Sequence, residues 1–94
     1  MKEYQLGNDD PGLRNDYEWA VHHYDVGDWS GSGTGAAYKD GKLYVWDFGH
    51  CSCYGPLEAG PDEYDVESLD WDDLHTLSEL DNDVRNKVQE LLTN

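Results

Sequence analysis

Ala36-Ala37-Tyr38-Lys39-Asp40-Gly41-Lys42-Leu43-Tyr44-Val45-Trp46 is the stretch on which the fold turns. Asp40-Gly41 supplies the two positive φ angles of a type I′ turn, whose twist matches that of the strands it joins. Aromatic and β-branched residues on its C-terminal side suit a pleated surface, so the pattern predicts a β-hairpin. Upstream, residues 17 to 26 (YEWAVHHYDV) alternate, with Tyr17, Trp19, Val21 and His23 on one face and Glu18, Ala20, His22 and Tyr24 on the other. That predicts a further strand. Between them, residues 27 to 35 (GDWSGSGTG) either loop flexibly or let a strand pass close to another backbone.

Outward from this centre the signals change character. Residues 1 to 15 are rich in turn formers (Gly7, Asn8, Asp10, Pro11, Gly12) and read as an irregular arm. After Phe48 the alternation stops, and residues 49 to 56 (GHCSCYGP) lead into an acidic loop that reaches Val66. Trp71, Leu74, Leu77 and Leu80 recur at helical spacing. Asp81 or Asn82 can cap a second helical segment, continuous with the first or separate, whose apolar stripe is Val84, Val88, Leu91 and Leu92. The expected architecture is α+β: an antiparallel sheet of about three strands with the C-terminal helix packed on it and a zinc-stapled loop. In domain terms this is an arm at 1–15 and a single domain at 16–94.

Composition narrows the function. The 94 residues hold 21 Asp and Glu against 6 Lys and Arg, a formal charge of −15. High charge with 37% apolar content is typical of unfolded chains, but the four Trp, seven Tyr and one Phe, most of them in strand-like alternation, point to a folded domain. The charge repels nucleic-acid phosphates and anionic lipid, so direct binding to either is excluded and a basic protein partner is expected. No stretch approaches the roughly 20 apolar residues of a membrane span, and no apolar run follows Met1-Lys2-Glu3, so a cytosolic setting is expected.

His50-Cys51-Ser52-Cys53 is the densest chemical constellation. Zn²⁺ takes four thiolate or imidazole ligands in a tetrahedron, and Cys51 and Cys53 at this spacing reach one ion from a tight turn. His50 and His23 are the first choices to complete the set, with His22 and His75 in reserve. The bland alternative makes the cysteines small apolar fillers. A redox pair is disfavoured because residues 43 to 84 contain no Lys or Arg to lower a thiol pKa. An enzyme built on His50, Cys51 and Asp47 is disfavoured too, since neighbours on an extended chain point to opposite sides; no catalytic residue is expected. A calcium loop at Asp81-Asn82-Asp83 is set aside because the glycine and terminal glutamate are missing.

The second constellation is acidic: Glu63, Asp65, Glu67, Asp70, Asp72 and Asp73, with Trp71 as apolar anchor, form a candidate surface for a partner's Arg and Lys. Carboxylates on a rigid scaffold imitate a nucleic-acid backbone, whereas the bland reading is a merely solubilising face.

The run from GSGTG through KDGKLYVWDFGHCSCYGPLE and the acidic segment after it, roughly residues 27 to 80, resembles small acidic proteins encoded by phages. The Gly-His-Cys-Ser-Cys-Tyr-Gly loop at 49–55 is the specific part of the likeness. The resemblance implies phage origin and work in the host cytoplasm, and by class analogy an anti-CRISPR role. The expected function is therefore inhibition of a host defence nuclease, a type II CRISPR effector, through its basic nucleic-acid-handling surface, with structural Zn²⁺. The alternative is a small structural zinc module that makes protein contacts without imitating nucleic acid.

Overall fold

A computed structural model describes residues 1–14, 16–27, 31–48, 61–69 and 81–93. The hairpin forms as expected: Asp40 and Gly41 both adopt positive φ, 51° and 80°. They join β3 (Gly31–Lys39) to β4 (Lys42–Asp47), with Lys39 opposite Lys42 and Ala36 opposite Val45. β2 (Trp19–Val26) pairs antiparallel with β3, Val21 facing Ala36 and His22 facing Gly35.

Two strands extend the expected sheet. β1 (Lys2–Gln5) runs parallel to β2, and β5 (Asp62–Asp65) runs antiparallel to β4. The sheet is thus mixed and five-stranded, in the order β1-β2-β3-β4-β5, rather than antiparallel with about three strands. The reason is that both additions are edge strands, KEYQ and DEYD, in which only the tyrosine is partly buried. Charged edges discourage pairing with other chains and at the same time erase the apolar alternation by which a strand is recognised. The arm that reads as irregular is therefore held to the sheet: beyond β1, the Leu6 amide donates to the His22 carbonyl and Asp9 bridges Tyr24.

Glycines at 31, 33 and 35 lie inside β3, so the close-approach alternative holds. A Cβ on Gly33 would collide with the His23 carbonyl, and one on Gly35 would meet the Phe48 ring. A 3₁₀ turn (Val66–Ser68) follows β5, and α1 (Asn82–Thr93) closes the described chain.

Each face of the sheet has its own core. On one, Val84 and Val88 of α1 bury against Val21, Ala36, Leu43 and Val45, with Leu91 and Leu92 partly buried beside them. The stripe expected from the sequence is the one the helix uses. Lys87 adds a tether to β1 by placing its ammonium 4.5 Å from the Tyr4 ring centroid. On the other face Ala20, Tyr24, Ala37, Trp46 and Phe48 pack together under Leu13, Tyr17 and Tyr44. Tyr17 meets Trp46 edge-on at 5.6 Å and Tyr44 at 5.4 Å.

Burial lifts the Tyr17 phenol above its ordinary range, and the neighbouring Asp16 carboxylate pushes the same way. Tyr24 is raised by burial and then by Asp9. The unfolded chain gives up these protons first, so the neutral phenols lose their stabilising effect as pH rises past the ordinary value near 10. In an alkaline titration followed by tyrosinate absorbance, Tyr17 and Tyr24 should ionise in a late phase, above the ordinary range of a tyrosine. Their replacement by Phe should remove that late phase, and a single uniform transition would contradict the packing.

Candidate functional site

Three groupings of polar side chains stand out, and strand alternation decides which residues share each. The first lies on the sheet face opposite α1. β2 turns His22 onto that face, and the parallel register of β1, with Glu3 opposite Ala20 and Gln5 opposite His22, brings Glu3 alongside. His22 is fully buried, and its Nε2 lies 2.6 Å from Glu3 Oε1. An ionised carboxylate only accepts, so Nε2 carries the proton and donates it. Asp10 completes the group: ligand atoms of Glu3, Asp10 and His22 all lie within 4.8 Å of one another. One Asp10 oxygen, Oδ1, already accepts the Gly12 amide at 2.8 Å, which fixes the carboxylate.

The remaining ring nitrogen of His22, Nδ1, is buried without a hydrogen-bond partner among the described residues. Leaving such an atom unsatisfied costs about 1–3 kcal/mol, so the imidazole is an expensive way to fill this position if packing were its only task. Neither Glu3 nor Asp10 forms an ion pair with Lys or Arg among the described residues.

The second grouping joins the sheet to the helix. His23, on the α1 face, is half-buried between two carboxylates. Its Nε2 lies 3.1 Å from Asp25 Oδ2, and its Nδ1 lies 2.9 Å from Asp81 Oδ2, at ion-pair distance but without hydrogen-bond alignment. Asp81 is the N-cap of α1, as its position before the apolar stripe predicts. Its Oδ1 accepts the Val84 amide at 2.9 Å, its carbonyl accepts Arg85 N–H, and its own amide donates to Thr34 Oγ1. His23 therefore sits with carboxylates on both ring nitrogens. The other expected zinc ligands, His50, Cys51 and Cys53, and the reserve ligand His75 lie outside the described residues.

The third grouping is the β5 edge. Asp62, Glu63, Asp65 and Glu67 are all exposed, while Tyr64 turns inward to the core. Lys42 answers one of these charges, its Nζ 2.6 Å from Glu63 Oε1. That hydrogen bond, followed by the Glu63 charge itself, holds the Lys42 ammonium above its ordinary pKa. Asp40, Asp65 and Glu67 line an open depression around the same lysine. Three of the expected partner-binding residues, Glu63, Asp65 and Glu67, are thus placed on one ordered edge. Asp70, Trp71, Asp72 and Asp73 lie outside the described residues.

Sequence reasoning had placed His22 among the reserve metal ligands but had no reason to join it to Glu3 or Asp10. Their proximity depends on a parallel pairing that leaves no local signature; the nearest signal was the fall of His22 on the face opposite His23. Among the described residues no helix is long and apolar enough to cross a membrane. No family model, no curated protein and no solved structure matches the chain.

Proposed function

We propose that the chain is a non-enzymatic, phage-encoded inhibitor of a host defence nuclease, a type II CRISPR effector, that works in the host cytoplasm by occupying a basic nucleic-acid-handling surface. The observation that carries this reading is the exposure of Asp62, Glu63, Asp65 and Glu67 along β5 and the turn after it. Side chains alternate along a strand that rises about 3.4 Å per residue, so Glu63 and Asp65 stand about 6.8 Å apart on one face of β5, roughly every second charge of one strand of duplex DNA, and Asp62 lies on the other face. The net charge of −15 adds long-range attraction to any basic groove. Asp70, Asp72 and Asp73 extend the acidic run in sequence, with Trp71 as apolar anchor. In the same reading, structural Zn²⁺ on Cys51, Cys53, His50 and His23 staples the loop between β4 and β5.

The test is DNA cleavage by a guide-loaded type II effector, titrated with this protein at rising salt. Inhibition should weaken steeply with ionic strength, and the triple variant Glu63→Gln, Asp65→Asn, Glu67→Gln should lose about tenfold or more in potency. Undiminished inhibition at high salt would reject mimicry in favour of the apolar contact of a structural zinc module. Unchanged cleavage at every concentration would reject this class of target.

A further inference from the structure

We infer that β1 is the edge through which two copies of this chain associate, the two strands running antiparallel about a two-fold axis at Tyr4. β1 stands at one end of the sheet and pairs only with β2 among the described strands. The parallel register fixes which of its backbone groups are already used. The Lys2 amide donates to the Glu18 carbonyl and the Leu6 amide to the His22 carbonyl, so Lys2, Tyr4 and Leu6 turn their backbone polar groups toward β2. Glu3 and Gln5, which alternate with them, turn theirs outward, where no described strand meets them.

An identical strand satisfies those groups when Glu3 of one copy lies opposite Gln5 of the other. Each such pair exchanges both of its backbone hydrogen bonds. The side chains match in the same register: the Gln5 amide faces the Glu3 carboxylate, Tyr4 faces its counterpart at the axis, and Lys2 lies opposite Leu6. Leu6 is 42% exposed and lines an open depression with Asp83, Asn86, Lys87 and Glu90 of α1. Lys2 of the second copy therefore lays its stem on Leu6 and brings its ammonium to the Asp83 and Glu90 carboxylates. A slip that sets Glu3 against Glu3 places like charges directly opposite and is disfavoured.

Charge selects this edge over the other. β5 holds three carboxylates in its four residues and repels a second acidic copy, whereas β1 holds one lysine and one glutamate, which cancel. The large apolar side chains left exposed among the described residues are Met1, Leu6 and Val26, and the first two flank β1. The net charge of −15 on each copy opposes contact in general, but physiological salt screens it beyond about 8 Å. The joined sheet then carries an acidic β5 at each outer end.

Sedimentation equilibrium of the full chain in physiological salt, over a concentration series reaching the millimolar range, should show a monomer–dimer equilibrium. The Glu3 and Gln5 amides should gain protection from hydrogen exchange as concentration rises, while those of Lys2, Tyr4 and Leu6 change little. Gln5→Pro removes an outward N–H and leaves the pairing with β2 alone, and Lys2→Glu reverses the charge that meets Asp83 and Glu90. Each substitution acts twice in a symmetric pair, so each should weaken association about tenfold or more. The variant Glu63→Gln, Asp65→Asn, Glu67→Gln should dimerise at least as well as wild type. The inference is overturned by a chain that stays monomeric throughout the series, by a dimer in which the Glu3 and Gln5 amides exchange as fast as in the monomer, by a dimer that Lys2→Glu leaves unchanged, or by loss of the dimer in the β5 variant. Nuclease inhibition rests on β5 at the opposite edge and is read by a separate assay, so the two proposals fail separately.

Discussion

Phe48→Ala is expected to lower the free energy of unfolding by about 3–5 kcal/mol, a large share of the roughly 5–15 kcal/mol that holds a domain of this size. Phe48 is fully buried at the end of β4, stacked on Trp46 at 6.3 Å and edge-on to Tyr24 at 5.7 Å. Its ring lies over Gly35, where an added Cβ would come within 2.5 Å of two ring carbons. Gly35→Ala alone should therefore cost about 1–3 kcal/mol through overpacking. Combined with Phe48→Ala the added methyl enters vacated space, and the double variant should be clearly more stable than the two losses added together. Urea unfolding of the four proteins at constant slope measures this coupling; strict additivity would mean that Phe48 and Gly35 do not share the space described.

The second large effect is expected at Asp81. Asp81→Ala removes the cap of α1 and the carboxylate beside His23, and should cost about 1–2 kcal/mol. Asp81→Asn keeps an oxygen for the Val84 amide and loses only the charge facing His23. Because both side chains of that pair are partly exposed, at 29% and 39%, the asparagine variant should lose no more than a few tenths of a kcal/mol. Urea midpoints of the two variants separate the contributions. If asparagine destabilised as much as alanine, the His23 contact and not the cap would hold the helix start.

These residues show where sequence is informative. Asp40-Gly41, the alternation in β2 and the cap with its Val84–Val88 stripe are local chemistry: each is written within a few neighbouring residues, and each appears in the structure as read. β1 and β5 were hidden for the opposite reason. Edge strands bury one side chain each, Tyr4 and Tyr64 in part, and their charged neighbours look like loop. The contact between Glu3 and His22 inherits that blindness, since Glu3 reaches His22 only through the parallel register. The acidic edge was legible as composition, but its ordering along a paired strand was not. The cysteine loop was the most conspicuous motif, yet its residues lie outside those described, so its zinc remains a proposal from residue types alone.

The sheet repeats in space the order of its strands along the chain. Each strand thus finds its neighbour in the stretch made just before or after it, and the search for pairing partners is short. Among the described elements, α1 alone returns across the molecule, to β2 and β3. During synthesis the first four strands can zip together while the helix has yet to emerge, leaving Val21, Ala36, Leu43 and Val45 as a bare apolar surface. That interval is when the nascent chain is most exposed to aggregation, and its strong negative charge keeps neighbouring chains apart until the helix arrives.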